Sequence, residues 1–299
     1  MIDYIELKGV DYGFARDFKH VSEIRLSFNR LTESVFGFSL ENWYKDGFWG
    51  DYYIPYSLLD KDQVVSNVSI NKLEFDIAGE RKTGIQIGTV MTDEKYRNRG
   101  LNKFLMEKVM EDWKGKTDFI YLFANNTALD FYPKFNFRTL AEYQLSRKII
   151  THSKSSKWDK LNMEHPADVT LLQERIKESV PVAKIAMRNN ISLIMFYCCS
   201  YQKDNIFYIQ ELDVIVIACF SGDTLYLDDI FSTNPIAVNE VINSLSDKKI
   251  ERVILGFTPL DESGFDKHLW QSPDTLFMQK DEVGFFLEKQ WMFPVLSHA

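Results

Sequence analysis

The chain has 299 residues, of which 45% are hydrophobic and 26% are charged, a composition typical of a globular protein with a substantial core. Its net charge of -8 argues against a nucleic-acid partner, because phosphate binding needs a basic face. The longest apolar runs, residues 191–199 and 214–220, are far shorter than the ~20 residues that cross a bilayer. We therefore expect neither a nucleic-acid partner nor a membrane partner.

The N-terminal sequence and the cysteines indicate the compartment. The first residues, MIDYIELKGVDYG, lack the basic start and the long apolar stretch of a secretory signal. The cysteines, Cys198, Cys199 and Cys219, show no C-x-x-C and no metal-ligand spacing. We expect a cytoplasmic protein without a metal site.

A polar segment rich in Ser and Lys, RKIITHSKSSKWDK, occupies residues 147–160 near the midpoint of the chain. This composition is typical of a linker. It predicts a domain boundary near residue 153, with one domain over residues 1–152 and another over residues 153–299.

The first half predicts helices and strands in a definite order. Apolar residues spaced by three or four predict a helix within residues 17–36. Strands are predicted over residues 53–60, 63–79 and 83–92. A continuous apolar run at residues 119–123 predicts a strand that is covered on both faces.

A second helix is predicted between the last two strands. Leu101, Leu105, Val109 and Trp113 form an i, i+4 apolar stripe, and Gly115 stands where a helix would end. The whole order predicts a mixed α/β sheet with a βαβ unit at its centre.

The turn before this helix concentrates positive charge in an acidic protein. Lys95, Arg97, Arg99 and Lys103 lie within nine residues around Gly100. A helix N-terminus offers free backbone N–H groups to an anion, and glycine permits close approach. Neither the Walker A pattern nor G-x-G-x-x-G is present. The turn is predicted to be a phosphate cradle; a solvated charged turn is the alternative.

Two motifs in this region resemble the GNAT superfamily of N-acetyltransferases. The segment YRNRGLN, which follows the strand IGTVMT, resembles the R-x-x-G-x-G/A acetyl-CoA loop of that family. The segment NNTALDFYPKFNF is similar to the family pattern N-x-x-A-x-x-x-Y-x-x-x-G-F at Asn125, Ala128, Tyr132 and Phe137. The two motifs occur in the family's order, separated by one helix and one strand. The resemblance covers the first half of the chain.

The chain departs from these patterns at two positions. Asn102 replaces the last small residue of the loop, and Asn136 replaces the glycine before Phe137. Asn tolerates left-handed backbone conformations better than most residues, so both changes are compatible with the fold. Pro133 lies in a predicted short helix, which we expect to be brief or bent.

The resemblance implies roles for individual residues around bound acetyl-CoA. It implies that the backbone of one strand end pairs with the pantetheine arm, that the loop binds the pyrophosphate, and that Asn125 lies near the cofactor, although Asn125 equally fits a helix N-cap. Tyr132 would protonate the departing thiolate, and a buried core tyrosine is the alternative. The strand residues are Val90, Met91 and Thr92, and the loop residues are Arg97, Asn98, Arg99, Gly100, Leu101, Asn102 and Lys103.

The densest aromatic stretch, ENWYKDGFWGDYYIPY, spans residues 41–56 and includes Glu41, Asp46 and Asp51. Such a surface could bind a cationic amine through carboxylates and cation-π contacts. Packing between a helix and the sheet is an equally good interpretation. No histidine is singled out as a general base by its position in the sequence.

The second half repeats the order of the first. Residues 205–257 predict three strands, a helix and a strand, with no arginine or glycine where the cofactor loop would lie. This order favours a degenerate GNAT-like domain, as in the enhanced intracellular survival (Eis-like) type. An unrelated α/β domain is the alternative. The hypothesis requires residues 225–230 and 252–257 to be adjacent parallel strands.

The fold predicted for the whole chain is therefore a GNAT fold followed by a second, degenerate GNAT-like α/β domain. The resemblance implies an acetyl-CoA-dependent N-acetyltransferase acting on a primary amine of a small molecule or peptide. A non-catalytic acyl-CoA-binding or interaction module is the alternative, and a homo-oligomer is possible. The last residues, WMFPVLSHA, are expected to dock between the domains and to bring Ala299 near the site.

Overall fold

The structure is a computed structural model that describes residues 2–149, 156–246, 249–279 and 283–298. The described residues form sixteen strands in two sheets, together with seven helices. No helix among them is long and apolar enough to span a membrane.

The first 149 residues contain eight strands and three helices. Their bounds are β1 Ile2–Leu7, β2 Val10–Arg16, α1 Ser22–Phe36, α2 Glu41–Lys45, β3 Tyr53–Asp60, β4 Gln63–Ile77, β5 Glu80–Thr92, α3 Leu101–Trp113, β6 Phe119–Asn125, β7 Phe137–Thr139 and β8 Tyr143–Lys148. The predicted helices and strands of this half are confirmed. The β1–β2 hairpin was not predicted, because most β1 side chains are exposed and give no apolar alternation.

The remaining residues contain eight further strands and four helices. Their bounds are β9 Trp158–Lys160, α4 Pro166–Glu178, β10 Ile185–Arg188, α5 Ile191–Cys198, β11 Ile206–Ile209, β12 Val214–Ser221, β13 Thr224–Ser232, α6 Val238–Leu245, β14 Arg252–Leu255, β15 Asp266–Leu269, β16 Asp274–Gln279 and α7 Val283–Leu287. The predicted order of strands and helix within residues 205–257 is confirmed.

Each sheet is mixed and mostly antiparallel, with one parallel pair at its centre. The first sheet has the order β1-β2-β3-β4-β5-β6-β16-β7, with β10 added beside β4, and the second has the order β15-β8-β14-β13-β12-β11-β9. The parallel pairs are β5 with β6 and β13 with β14. In the second pair Leu225 lies opposite Val253, so the adjacent parallel strands that the repeated order requires are present.

The two sheets exchange a strand. β8 belongs to the first half of the chain but lies in the second sheet, where it pairs with β14 and β15. β16 belongs to the second half but lies in the first sheet between β6 and β7. The predicted boundary near residue 153 lies outside the described residues, and the limits of the two domains stay a prediction. Each sheet nevertheless contains strands from the other half of the chain: the second sheet takes β8, and the first takes β10 and β16.

The C-terminal segment packs between the two sheets. Met292, Phe293 and Leu296 are buried, which confirms that the apolar residues of this segment dock. The hydroxyl of Tyr121 on β6 donates a hydrogen bond to the carbonyl oxygen of Ser297 at 3.1 Å. Ala299 lies outside the described residues.

Glu142, in the link from β7 to β8, is buried against this segment. Its carboxylate accepts a hydrogen bond from the backbone N–H of Phe293 at 3.0 Å. Burial raises the pKa of Glu142 from 4.5 to about 8, and the bond from Phe293 only partly opposes this rise. A buried carboxyl group thus helps to hold the C-terminal segment in place.

The pairing of β16 predicts the effect of removing the second half of the chain. A chain that ends at residue 149 lacks β16, so β6 and β7 lose their shared partner and leave backbone N–H and C=O groups unpaired. We expect this fragment to show no cooperative thermal transition by circular dichroism, whereas the full chain shows one. A cooperative transition in the fragment would contradict the structural role given to β16.

The raised pKa of Glu142 predicts how the stability of the protein depends on pH. Because its pKa is higher in the folded state, the folded protein keeps a proton that the unfolded chain has already released, and the free energy of unfolding falls as the pH rises from 4.5 to about 8. In the variant Glu142→Gln the side chain is neutral throughout and can still accept the Phe293 N–H. Between about pH 6.5 and about pH 8.5 we expect the melting temperature of the wild type to fall by about 3 °C more than that of the variant. Parallel curves would contradict this assignment.

Candidate active site

The turn between β5 and α3 has the geometry of an anion site. Asn98 and Gly100 both adopt left-handed conformations, with φ of 63° and 86°. Gly100 is the N-cap of α3 and offers no side chain to cap it, and the helical hydrogen bonds begin with Phe104 N–H to Gly100 O at 3.1 Å. The N–H groups of the first three helical residues, Leu101 to Lys103, therefore have no acceptor within the helix.

The two arginines of the turn differ in how they are held. Arg99 donates from Nη2 to the carbonyl oxygen of Lys95 at 2.8 Å, and its guanidinium lies 4.7 Å from the ring centre of Tyr96. The hydroxyl of Tyr96 donates to Asp60 at 2.6 Å, and this bond raises the pKa of Tyr96 to about 12. Arg97 is exposed. Both arginines are exposed, and the guanidinium of Arg99 is the one held by Lys95 and Tyr96.

The strand before the turn is irregular at Thr89, which has a φ of 49°. Ser69 pairs with Gly88 but Asn67 pairs with Met91, so β5 carries one extra residue at this point and forms a β-bulge. The carbonyl oxygen of Thr89 accepts a hydrogen bond from Asn67 Nδ2 at 2.9 Å.

Beside the bulge, the central parallel pair separates. Pairing between β5 and β6 ends at Ile87 and Leu122, although β5 continues to Thr92 and β6 to Asn125. The backbone of the last part of β5 is therefore not paired with β6. This opening lies next to the free N–H groups of α3.

The predicted strand residues lie at this opening. The side chain of Val90 is half-buried on the face of the sheet that α3 covers. The side chain of Met91 is buried in the apolar cluster that α1 forms with the sheet. Thr92 is half-buried, and its hydroxyl lies 3.1 Å from that of Ser66. Val90 and Met91 pack on different sides of the sheet, and the backbone of this segment has no pairing to β6.

Tyr132 begins the expected brief helix, which is a 3-10 turn over Tyr132–Phe135. Its ring packs against Phe137 and Phe277, with centroids 6.4 and 5.8 Å away. Its side chain is 5% exposed, and burial raises the pKa of the phenol to about 12. Among the described residues the hydroxyl has no hydrogen-bond partner. Tyr132 is thus a core residue, and it is also a protonated phenol whose O–H group is available to donate a hydrogen bond.

The two asparagines of the second motif, Asn125 and Asn136, determine the local backbone conformation. Asn125 Oδ1 accepts hydrogen bonds from the N–H and the hydroxyl of Thr127, at 3.1 and 2.6 Å, so this side chain stabilises a turn after β6. Asn136 adopts a left-handed conformation with φ of 67°, which explains how it replaces the glycine of the family pattern.

The aromatic stretch of residues 41–56 forms core rather than a surface for a ligand. Trp43, Trp49 and Tyr53 are buried together against α1. The carboxylate of Glu41 pairs with Arg25, and that of Asp51 pairs with Lys19. The packing interpretation therefore accounts for most of this segment.

The second domain lacks a comparable turn. The link from β13 to α6 spans residues 233–237, whereas the turn before α3 spans residues 93–100. The N-cap of α6 is Ala237, with ordinary extended backbone. His298 stacks on Phe123 of β6, at 3.5 Å between ring centroids. Burial lowers the pKa of His298 to about 3, so it is neutral.

Comparisons with known proteins agree with this geometry. The family model described as acetyltransferase (GNAT) domain matches residues 25–140. No curated protein sequence matches the chain at a significant level.

Three solved structures share the fold over most of the chain. A GCN5-related N-acetyltransferase from Kribbella flavida is 16% identical, with a TM-score of 0.56 over 89% of this chain and 70% of that one. A probable N-acyltransferase from Enterococcus faecalis is 15% identical, with a TM-score of 0.58 over 93% and 75%. Eis1 from Mycobacterium abscessus is 11% identical, with a TM-score of 0.56 over 90% and 74%.

These similarities extend beyond the matched domain into the second half, so the two-domain α/β arrangement is shared with the solved structures. Residues 25–140 therefore match an acetyltransferase (GNAT) domain, and the chain as a whole shares its two-domain α/β fold with these solved structures.

Proposed function

We propose that the protein transfers the acetyl group of acetyl-CoA to a primary amine of an acceptor. The observation that carries the proposal is the opening between β5 and β6 directly beside the uncapped N-terminus of α3. The amides of the arm that carries the thioester need an unpaired strand edge, and the pyrophosphate needs free N–H groups at a helix N-terminus. The chain offers these groups in this order.

The residues around the opening fit acetyl-CoA. The backbone of Val90, Met91 and Thr92 would pair with the amides of the pantetheine arm, because β6 does not pair with that part of β5. The N–H groups of Asn98 to Lys103 would bind the pyrophosphate, with Arg97 and Arg99 adding charge-assisted contacts. Asn125 would border the arm at the end of β6. Acetyl-CoA would supply the acetyl group as an activated thioester.

Tyr132 holds the proton that the reaction needs. A phenol whose pKa is about 12 stays protonated at neutral pH and can give its proton to a departing thiolate. The free hydroxyl of Tyr132 supports this role, since no side chain or backbone group in the described structure competes for its proton.

A first experiment tests the chemistry through Tyr132→Phe. This change removes the hydroxyl and keeps the ring that packs against Phe137 and Phe277. We expect thiol release from acetyl-CoA, measured over a panel of amines, to fall by about 100-fold or more. Acetyl-CoA binding, measured by calorimetry, should change by less than about twofold. Equal turnover in both proteins would exclude Tyr132 as the acid, and binding without turnover in the wild type would favour the non-catalytic acyl-CoA-binding module.

A second experiment tests the turn through Gly100→Asp. A Cβ at Gly100 would meet only the Cε atom of Lys8, at 3.9 Å, so a side chain fits sterically. The cost comes from its left-handed backbone and from a carboxylate beside the phosphate site. We expect the affinity for acetyl-CoA to fall by at least about 100-fold.

Gly115→Asp is the matched control for this experiment. Gly115 also has a left-handed conformation, with φ of 70°, and lies just beyond the far end of α3. It carries the same backbone cost without a phosphate site, so its affinity for acetyl-CoA should match that of the wild type. An equal loss in both variants would mean that strain, and not the cradle, explains the effect.

A further inference from the structure

A hydrogen-bonded cluster joins the first turn of α3 to the sheet. Ser66 lies on β4 and is fully buried. Its hydroxyl donates to Asn102 Oδ1 at 2.5 Å, and its oxygen lies 3.1 Å from the hydroxyl of Thr92 at the end of β5. Three elements, β4, β5 and α3, thus meet at one side-chain oxygen, and two of them, β5 and α3, border the opening.

The number of hydroxyl protons decides which group is the donor in each hydrogen bond of this cluster. Ser66 has one hydroxyl proton, and its shortest contact, to Asn102, receives it. A competing acceptor, the carbonyl oxygen of Met91, is farther away at 3.4 Å. Thr92 must then be the donor in its contact with Ser66. The chain of bonds from Thr92 through Ser66 to Asn102 fixes the orientation of the Asn102 amide.

The first turn of α3 is held by two kinds of contact, the buried side chain of Leu101 in the core and this hydrogen-bonded cluster. Gly100 provides no cap. In the described structure, the bond from Ser66 is the side-chain hydrogen bond that links this turn to another element. Asn102 also stands where the family pattern has a small residue, which could make no such bond.

We propose that Ser66, Thr92 and Asn102 form a brace that holds the first turn of α3 in the position that binds the pyrophosphate. This inference rests on the proposed function. The brace orders the N–H groups of residues 101–103 before the ligand arrives, so less conformational freedom is lost on binding. Ser66 and Asn102 are positioning residues, and their contribution is confined to ligands that carry a pyrophosphate.

The test compares two probes on four proteins. Acetyl-CoA carries the pyrophosphate and S-acetylpantetheine does not. Dissociation constants are measured by calorimetry for the first probe and by ligand-detected NMR for the second. The variants are Asn102→Ala, Ser66→Ala and the double variant. We expect each single variant to bind acetyl-CoA roughly five- to tenfold more weakly, which corresponds to one hydrogen bond.

The double variant should bind acetyl-CoA no more weakly than either single variant, because both changes break the same bond. The affinity for S-acetylpantetheine should be the same in all four proteins. Ser66→Thr, which keeps a hydroxyl, should restore most of the affinity for acetyl-CoA. A merely structural defect would lower the affinity for both probes.

Ser232→Ala is the matched control. Ser232 is also a buried serine on a strand, and its hydroxyl bonds to Asn234 in the second domain. This variant should bind both probes as the wild type does. Unchanged or tighter acetyl-CoA binding in Asn102→Ala would overturn the brace. Failure of the wild type to bind acetyl-CoA would instead overturn the proposed function.

Discussion

The candidate site depends on one interruption in backbone pairing. A single extra residue at Thr89 shifts the register of β5 against β4, and the ladder to β6 ends at Ile87 and Leu122. Without this interruption the central parallel strands would hydrogen-bond to each other along their whole length and offer nothing to a ligand. The bulge is held by a buried amide, because Asn67 donates to the carbonyl oxygen of Thr89. The buried side chain of Asn67 thus helps to maintain a stretch of β5 whose backbone groups have no partner on β6. Leaving buried backbone N–H and C=O groups unpaired costs free energy of folding.

The second domain repeats this architecture without the site. Its parallel pair, β13 with β14, matches β5 with β6, but the shorter link to α6 contains no glycine and no arginine. Its contribution to the first domain is structural: it supplies β10, β16 and the C-terminal segment that bonds to Tyr121.

Local features were predictable from the sequence, and long-range ones were not. The apolar stripe from Leu101 to Trp113 and the glycine before it determine α3, because helix periodicity and N-terminal geometry are local. The exchange of β8 and β16 involves residues far apart in sequence, so no local pattern could indicate it. The bulge at Thr89 was also missed, since a β-branched residue is an unusual choice for a positive φ. The role of Ser66 becomes visible only when three elements meet.

The exchange of strands also constrains how the chain reaches its native state. Thr139 on β7 pairs with Phe277 on β16, so the first sheet remains incomplete until synthesis has passed residue 279. During translation the domain that carries the site cannot close its own edge, and its folding has to await the second half. The two halves of the chain are therefore expected to acquire their structure in a single late step rather than one after the other. In such a chain, a destabilising substitution in the second domain would lower the yield of active first domain while leaving every residue of the site unchanged.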